Sequence, residues 1–334
     1  MKINFITISE RRGGVGISPR RIAREMEKRG HTITFNSRDQ EFDIVHSHNA
    51  FDPFVLKKIR GIPIVVHGHS VRADLEGGIM GYRIFSPLLT WLMRKTYSQA
   101  DHIIPVSEFA ADDIKRMGIQ VPMTVISNGV PLGDYPFITD EERRKKREEI
   151  VEKYNLNSSQ EIILSVGSLM RRKGILDVIK LAKLLPEYQF LWVGGSQPIY
   201  PYWYLREQMG RVPQNFRLLG YIDNLLDLYQ GLDYYLNPSF VETEGIPILE
   251  AAASGIPIIM RDIPAFEGWK DGTHCQKFKK IEEVQNLIRG DKNIQSMVEA
   301  SHKRVQKYDI HHICDRIEKI YNSLCQTPLE DSIE

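Results

Sequence analysis

Cysteine is scarce in this chain of 334 residues, and its three cysteines lie far apart in the sequence. Cys275, Cys314 and Cys325 have neither the paired spacing of a disulfide framework nor that of a zinc knuckle, which favours a reducing compartment. Long apolar runs are also lacking, and none approaches the roughly 18–20 residues that span a bilayer. The apolar start ends at Glu10, too early for a signal peptide. We therefore expect a cytoplasmic protein, and contact with the inner face of the membrane stays open.

An excess of either charge is lacking as well, because 44 basic residues are balanced by 43 acidic ones. A formal net charge of +1 predicts no strong attraction to nucleic acid, so we expect no such partner. Hydrophobic residues make up 42% and charged residues 26%, which excludes disordered, collagen-like and coiled-coil chains. The length suits about two domains, at roughly 150 residues per domain.

Short β-branched segments alternate with amphipathic stretches of helical length. In the first half they occupy residues 3–8, 32–35, 43–46, 63–66, 102–106 and 124–126. In the second half they occupy residues 161–166, 189–193, 215–219, 234–236 and 256–260. Near-continuous apolar segments are typical of parallel strands that are buried on both faces. The alternation predicts an α/β protein with two Rossmann-like domains, each built on a parallel sheet.

The predicted domain boundary lies between residues 137 and 160, where Thr139 precedes a run of charged residues with helical spacing. We assign residues 1–138 to an N-terminal domain, 139–159 to a linker and helix, and 160–307 to a C-terminal domain. A last helix is expected at about residues 308–325.

A glycine-rich loop follows the first predicted strand, at residues 11–16. Gly14 and Gly16 would let backbone N–H groups approach a phosphate, beside a helix that Ser18 would cap and Pro19 would start. The loop has neither the G-x-G-x-x-G dinucleotide fingerprint nor the Walker sequence, so a plain tight turn is an equally good interpretation.

Two His-x-His motifs end predicted strands, at residues 46–48 and 67–69. Residues at the carboxyl ends of parallel strands line binding crevices, which makes His67 a candidate for the active site. Such motifs can also hold a metal, as in metal-dependent hydrolases, but no cluster with convincing ligand spacing accompanies them. We predict no metal site and interpret His48 and His69 as polar loop residues.

Charged side chains follow two predicted strands of the second half. Arg171, Arg172 and Lys173 lie between a strand and a helix, where cations can neutralise the charge that grows on a departing phosphate. Residues 238–251 (PSFVETEGIPILEA) place Glu242 in a loop and Glu250 about two turns inside the next helix.

The start of that next helix adds backbone donors to the two carboxylates. Gly245 permits a tight backbone, and Pro247 suits the first helical turn. Free N–H groups at Gly245 and Ile246 can bind a hydroxyl or a phosphate there. Carboxylates that accept hydrogen bonds from hydroxyls are ordinary in sugar recognition.

Taken in order, these segments resemble a retaining glycosyltransferase of family 4, whose GT-B fold has two Rossmann-like domains facing across a cleft. Glu242 and Glu250, with seven residues between them, match the paired-glutamate motif, and residues 250–257 match its trailing Glu-Ala-x-Ala-x-Gly-x-Pro. Residues 100–107 and 126–130 match the last part of the family's N-terminal domain. The resemblance covers nearly the whole chain, and it implies that the C-terminal helix packs back on the N-terminal domain.

The resemblance implies a role for each matching residue. His67 corresponds to the histidine beside the transferred sugar, Lys173 to the phosphate-binding lysine and Glu242 to the glutamate that binds sugar hydroxyls. These three are the predicted catalytic residues, while Glu250 corresponds to the glutamate that binds the ribose. The full predicted donor-binding set is Gly14, Gly16, Arg171, Arg172, Lys173, Glu242, Gly245, Ile246 and Glu250.

Two residues depart from the family pattern. Ser168 stands where the family usually has an arginine, which removes a phosphate ligand unless Arg171 or Arg172 replaces it. Glu244 adds a third carboxylate, which could repel the diphosphate or bind another hydroxyl.

The implied reaction moves a sugar with retention from a nucleotide diphosphate sugar, most simply a UDP-sugar, to an acceptor hydroxyl. No Asp-x-Asp motif occurs, so no metal or other cofactor is expected to be required. Residues 171–178, 192–195 and 261–264 are similar to the glycolipid-forming branch, which acts on diacylglycerol or glycosyl-diacylglycerol; a cell-surface polysaccharide precursor is another candidate acceptor. The alternatives are a non-catalytic nucleotide-sugar-binding protein and a metal-dependent hydrolase that uses the His-x-His motifs.

Residues 82–95 predict an apolar helix in the N-terminal domain, with Ser86 as cap and Pro87 at its start. Trp91 lies among leucines in it, and Arg94 and Lys95 end it. Such a helix usually packs its apolar face on its own sheet, and this is the interpretation that we favour. The alternative is an interfacial helix that binds anionic lipid peripherally.

Overall fold

The computed structural model describes residues 1–7, 14–38, 41–51, 61–76, 82–196, 202–290 and 293–326. The backbone separates into two compact units. The first contains Met1–Leu75, Gly81–Pro131 and Tyr308–Glu334, and the second contains Leu132–Lys307. Each unit holds one sheet, and all strand pairs between the described strands are parallel. The α/β architecture predicted from the alternating pattern is confirmed.

The first unit has a five-stranded sheet in the order β2-β1-β3-β4-β5. Its strands are β1 (Lys2–Ile6), β2 (Thr32–Phe35), β3 (Ile44–Ser47), β4 (Ile64–Gly68) and β5 (His102–Pro105). The second unit has a six-stranded sheet in the order β11-β10-β9-β6-β7-β8. Its strands are β6 (Ile162–Val166), β7 (Gln189–Val193), β8 (Phe216–Gly220), β9 (Tyr234–Asn237), β10 (Ile258–Arg261) and β11 (Gln276–Phe278).

The helices connect these strands, as parallel sheets require. In the first unit they are α1 (Gly14–Lys28), α2 (Arg72–Leu75), α3 (Tyr82–Tyr97) and α4 (Glu108–Arg116). The second unit adds α5 (Asp140–Lys153), α6 (Ile175–Leu184), α7 (Tyr202–Met209), α8 (Leu226–Gly231), α9 (Ile246–Ser254), α10 (Val284–Arg289) and α11 (Ile294–Val305). The chain then returns to the first unit as α12 (Ile310–Gln326). No described helix is both long and apolar enough to span a bilayer.

The capping residues in the sequence predict the start of one helix correctly and the starts of two others wrongly. Thr139 caps α5 in a capping box with Glu142, as its sequence indicates. Helix α1, however, begins at Gly14, so Ser18 and Pro19 lie inside it rather than at its start. Helix α3 likewise begins at Tyr82 and contains Pro87. In both helices the proline stands in the second turn, where its missing N–H removes one backbone hydrogen bond.

One strand prediction was wrong, and one strand was not predicted. The segment 124–126 forms no strand, because its backbone follows β5 with scattered bonds, such as Thr124 N–H to the Ile103 carbonyl at 3.1 Å, and only Met123 forms an isolated bridge. Strand β11 was missed, since it is three residues long and its only apolar residue is Phe278. Short edge strands have no apolar run that a pattern could detect.

The hydrophobic core of the first unit contains residues of the sheet, of α1 and of α12. Ile3, Phe5 and Val65 lie on the sheet and are fully buried with Met26 of α1. Helix α12 buries a continuous face in the same cluster, at residues 310, 313, 314, 317, 320 and 321. This spacing of three and four residues is that of an amphipathic helix on a core.

Polar contacts fix α12 against α1. Arg29 donates to Asp315 and Glu318, at 2.6 Å each, and to Glu25 at 3.1 Å. Glu25 also accepts from His311 at 2.6 Å. Burial opposes the ionisation of Glu25 and Glu318, but hydrogen bonds to arginine and histidine outweigh it and hold the pKa of both carboxyls below the ordinary value.

This network predicts an acid-sensitive anchor for α12. We expect Arg29→Met to lower the free energy of unfolding by about 2 kcal/mol, the range for charged hydrogen bonds. A carboxyl with a lowered folded-state pKa stabilises the fold above its unfolded pKa, and this contribution is lost as the pH falls through the folded value. The wild type should therefore lose stability below about pH 4.5, the ordinary pKa of a glutamate, and Arg29→Met should lose less over the same range. Urea titrations between pH 3 and 7 measure both, and parallel pH profiles would contradict the assignment.

Candidate active site

Lys173 and Glu242 meet at the carboxyl edge of the second sheet. Lys173 lies in the 3-10 turn Arg171–Lys173 after β6, and Glu242 lies in the loop after the neighbouring strand β9. Lys173 Nζ is 2.6 Å from Glu242 Oε1, which also accepts from the Ser239 hydroxyl at 2.8 Å. Loops that follow adjacent parallel strands converge at one edge of the sheet, which brings the two side chains together.

The electrostatics of Glu242 follow from its partners. Burial raises the free energy of its charged form, but the charges of Lys173 and Arg172, with hydrogen bonds from Lys173 and Ser239, hold its pKa below the ordinary value. Glu242 is therefore a buried carboxylate that stays ionised near neutral pH. Within the described residues its second oxygen, Oε2, accepts no hydrogen bond, which leaves an acceptor beside the lysine.

Backbone contacts hold the two loops together. The Phe240 N–H donates to the Arg172 carbonyl at 2.8 Å, and Arg172 Nη1 donates to the Val241 carbonyl at 3.2 Å. Gly174 follows with a φ of +78°, and a Cβ there would lie 2.3 Å from the Pro238 carbonyl oxygen. The close approach of the loops thus depends on a glycine at position 174.

The two arginines of the turn have different surroundings. Arg172 is half-buried and its guanidinium is used on the Val241 carbonyl, although its Nε is buried without a partner among the described residues. Arg171 is exposed, and its guanidinium has no hydrogen-bond or ion-pair partner in the described part of the chain.

Glu250 lies in α9, as the motif predicts, and is buried. Its Oε2 accepts from the Tyr229 hydroxyl at 3.1 Å. Gly245 precedes the helix with a φ of +84°, and Ile246 begins it. The first N–H groups of a helix have no intrahelical acceptor, so these two positions offer the donors that the sequence indicates.

Arg261 supports this edge from behind, a role that the sequence analysis missed. Its Nε donates to the Pro238 carbonyl at 3.0 Å, and its guanidinium pairs with Asp177. The same group lies 4.0 Å from the ring centroid of Phe240 and 4.9 Å from that of Phe278. A buried arginine must find such partners, but they lie up to 84 residues away in the sequence, so no local pattern identifies them.

The predicted glycines of the first unit lie at the N-terminus of α1. Gly14 is its first residue and Gly16 is buried in the first turn. Arg11, Arg12 and Gly13, the rest of the predicted loop, lie outside the described residues.

A cluster of four histidines occupies the carboxyl ends of β3 and β4, within the first unit; we call His46, His48, His67 and His69 the histidine cluster. His67 Nδ1 lies 3.2 Å from His46 Nε2, and His48 Nδ1 lies 2.8 Å from His69 Nε2. The rings of His67 and His69 stack with centroids 4.3 Å apart. His48 and His69 follow the ends of β3 and β4, outside regular secondary structure, and both are buried.

Burial keeps the histidine cluster neutral. It lowers the pKa of His46 and of His69 to about 3, and that of His48 and His67 well below the ordinary value. Nearby imidazoles add to the effect on His46, His48 and His67. At neutral pH each ring therefore has one N–H donor and one bare nitrogen.

Three of these rings could bind a metal by proximity alone. Ring nitrogens of His46, His48 and His67 lie within 4.8 Å of one another. In the structure, however, the facing nitrogens are at hydrogen-bond distance from each other in two pairs. Pairing within the cluster is a sufficient account of this geometry.

Two family models match the chain in succession. Residues 36–134 match Glycosyltransferase Family 4, and residues 146–289 match Glycosyl transferases group 1. The structure is similar to Anabaena HepE in complex with UDP-glucose, with a TM-score of 0.82 at 17% identity, over 97% of this chain and 100% of that one. It is also similar to sucrose-phosphate synthase from Thermosynechococcus elongatus, with a TM-score of 0.80 at 16% identity, over 97% of this chain and 99% of that one.

Curated relatives extend over nearly the whole chain. A processive diacylglycerol alpha-glucosyltransferase of Acholeplasma laidlawii is 27% identical, over 94% of this chain and 95% of that protein. An alpha-galactosylglucosyldiacylglycerol synthase of Streptococcus pneumoniae is 26% identical, over 82% of this chain and 76% of that protein. The two Rossmann-like units have the GT-B fold. The two family models identify the chain as a glycosyltransferase. The chain belongs to glycosyltransferase family 4, as its motifs indicate.

Because the Pro238 backbone lies so close to Gly174, we expect alanine at position 174 to destabilise the fold unusually strongly. Gly174→Ala should lower the free energy of unfolding by more than the ~1–2 kcal/mol of left-handed backbone strain, because the new Cβ meets the Pro238 carbonyl. Gly272→Ala is the matched control, since its φ is +68° but a Cβ there meets nothing within 4 Å. Denaturant unfolding of both variants separates strain from collision, and equal losses would contradict the steric account.

Proposed function

We propose that this glycosyltransferase takes a sugar from a UDP-sugar and transfers it, with retention and without a required metal, to a hydroxyl of a membrane lipid. The observation that carries the proposal is the pairing of Lys173 with the buried Glu242 on two loops of one sheet edge. The names of two relatives that align over most of both chains describe enzymes that act on diacylglycerol lipids, and a structural neighbour was solved with UDP-glucose.

The donor fits the charges of this edge. An ammonium group has three N–H donors, so Lys173 can bind a phosphate oxygen while it still contacts Glu242. Oε2 of Glu242 can accept a hydrogen bond from a sugar hydroxyl, and Glu250 is the candidate for the ribose. The N-terminus of α9, with Gly245 and Ile246, suits a phosphate because of the helix dipole, and within the first unit the N-terminus of α1, with Gly14 and Gly16, has the same property.

Arg171 is the stronger candidate to replace the arginine missing at Ser168. Arg172 already donates to the Val241 carbonyl, whereas Arg171 is exposed and unpaired in the described part of the chain. A guanidinium can bind a phosphate through two parallel hydrogen bonds. We propose that Arg171 binds the diphosphate and that Arg172 holds the loop and keeps Glu242 ionised.

The chemistry we propose is attack on the face from which the diphosphate departs. Glu242 is a weak base, because its pKa is lowered, and its Oε1 is held by Lys173 and Ser239. The departing phosphate then accepts the proton of the acceptor hydroxyl, while Lys173 and Arg171 stabilise its growing charge. His67 is the proposed contact to the transferred sugar. The protein positions the reactants and supplies electrostatic stabilisation.

A lipid acceptor is favoured by the surface of α3. Ile84, Leu88 and Trp91 are 78%, 56% and 46% exposed, and they follow one another at helical spacing towards Lys95. The opposite face is buried through Met93 and Tyr97. The helix is therefore buried on one face, as we favoured, but it also has apolar side chains that are exposed.

The charge of the first unit is consistent with an anionic surface. Residues 1–136 carry 18 basic and 14 acidic side chains. An apolar strip with tryptophan, ending in Arg94 and Lys95, is what an interfacial helix presents to anionic lipid. We propose a cytoplasmic enzyme that binds the inner face of the membrane peripherally.

The activity assay uses UDP-[14C]glucose with diacylglycerol or monoglucosyldiacylglycerol in mixed micelles. We expect a labelled glycolipid with an α-anomeric proton, formed equally in EDTA. Lys173→Met should lower kcat/KM by about 10²–10³-fold, the loss for one group that meets developing charge. Without the lysine the pKa of Glu242 should rise, so the acid limb of the pH profile should move to higher pH.

Lys180→Met is the control for that assay, because Lys180 is an exposed lysine of α6 that pairs with Glu282. It should retain wild-type activity. Loss of activity in EDTA with recovery on added zinc would favour a metal-dependent enzyme. A shift in melting temperature with UDP-glucose, but no turnover on either lipid, would contradict the acceptor.

Membrane binding has its own test, with vesicles that contain phosphatidylglycerol. Wild-type protein should sediment with them at low salt and less at physiological salt. Trp91→Ala should reduce the bound fraction several-fold. The control is Trp203→Ala, because Trp203 is 63% exposed but lies on α7 of the second unit. Equal binding of both variants would exclude α3 as the membrane contact.

A further inference from the structure

We propose that Tyr321 of the C-terminal helix is a positioning residue for His67: through His46 it holds His67 in the tautomer that has its proton on Nε2. The proposal rests on the proposed function in one respect, the contact between His67 and the transferred sugar. The structural part, a hydrogen-bonded chain from Tyr321 to His67, can be tested without any substrate.

The series of hydrogen bonds from Tyr321 to His67 has two members, and both join buried groups. The Tyr321 hydroxyl lies 2.6 Å from His46 Nδ1. His46 Nε2, on the other side of the ring, lies 3.2 Å from His67 Nδ1. All three side chains are completely buried. His67 Nε2, the atom on the far side of the last ring in this series, is buried and has no partner among the described residues.

The direction of the first bond follows from the hydroxyl. Within the described residues His46 Nδ1 is the only hydrogen-bond partner of the Tyr321 hydroxyl. If His46 donated to the tyrosine, the phenolic proton would be buried without an acceptor, which is costly. Burial also raises the pKa of Tyr321, so the hydroxyl keeps its proton. The tyrosine therefore donates, and His46 Nδ1 accepts.

The second bond then has only one arrangement. A neutral imidazole that accepts at Nδ1 has its proton on Nε2. His46 must donate from Nε2 to His67 Nδ1, which accepts. His67 in turn has its proton on Nε2, the atom without a protein partner. His67 Nε2 is thus an N–H donor, and it can donate to an oxygen such as that of a sugar hydroxyl.

The reverse arrangement would give His67 a different chemistry. With its proton on Nδ1, His67 would present a bare nitrogen at Nε2, which accepts hydrogen bonds and can take a proton. The two tautomers differ in which substrate atoms they can bind. Tyr321 selects between them from a helix that lies 275 residues further along the chain than His46.

The test measures the tautomer directly on the full chain with 15N-labelled histidine. Two-bond proton–nitrogen correlation spectra distinguish a protonated from a bare ring nitrogen, and the His67→Gln spectrum assigns the signal. We expect wild-type His67 to be protonated at Nε2. In Tyr321→Phe, which removes one oxygen, we expect a mixture of both tautomers.

Kinetics with UDP-glucose and the lipid acceptor measure the consequence. Tyr321→Phe should lower kcat/KM by about 3- to 10-fold, the equivalent of one neutral hydrogen bond. Ile317→Val is the control, because Ile317 is fully buried on the same face of α12 and carries no polar group. It should retain the wild-type tautomer and activity although it loses packing.

Each outcome separates the inference from the function on which it rests. A wild-type signal from His67 with its proton on Nδ1 would overturn the proposal without any variant. An unchanged tautomer in a folded Tyr321→Phe would overturn it too. A changed tautomer with unchanged kcat/KM would leave the chain of bonds standing and contradict the contact of His67 with the sugar. No turnover in the wild type would contradict the proposed function, while the spectra still decide the tautomer.

Discussion

The buried contact between Lys173 and Glu242 is the interaction on which the candidate site of the second unit depends. Taking one charge of this pair into the protein without the other would be costly, so each residue requires the loop that carries its partner. The loops can approach only because Gly174 has no side chain and because Arg261 satisfies the Pro238 carbonyl behind them. The residues that we propose to bind the donor therefore also hold each other's loops in place.

The first unit depends in the same way on its C-terminal helix. Helix α12 supplies a large share of the apolar core and meets α1 through Arg29. It also delivers Tyr321 to the carboxyl end of β3. The sheet alone would leave the buried His46 Nδ1 without a donor. The end of the chain is therefore part of the environment of the histidine cluster.

The fold was largely predictable from the sequence because parallel sheets have a strong local signal. Strands such as β6 and β7 are near-continuous apolar runs, and the helix between them is amphipathic, so the alternation is visible without any tertiary information. The failures occur where local signal is weak or ambiguous. Strand β11 has a single apolar residue, and the prolines of α1 and α3 suggested later starts than the helices have.

The site was predictable where its residues are close to one another in a motif, and not where its geometry depends on distant partners. Glu242, Glu250 and Lys173 are identifiable by spacing and charge. The four histidines were also visible as two motifs, but their burial was not, because two His-x-His segments look polar until the strands are placed side by side. Arg261 and Tyr321 were missed since nothing near them in sequence indicates what they contact.

The difference between residues that a motif identifies and residues that it misses has a physical cause. Groups that contact a ligand must have a particular charge or hydrogen-bonding capacity, so their residue type alone is informative. Groups that fix protonation or orientation need only be at the right place in the folded chain, and a tyrosine on a helix or an arginine behind a loop can serve. In our proposal the tautomer of His67 is set by such a residue, Tyr321. The loop that carries Glu242 is likewise supported by Arg261 through the Pro238 carbonyl. The chemistry that a motif can perform is therefore determined as much by buried partners outside the motif as by the motif itself.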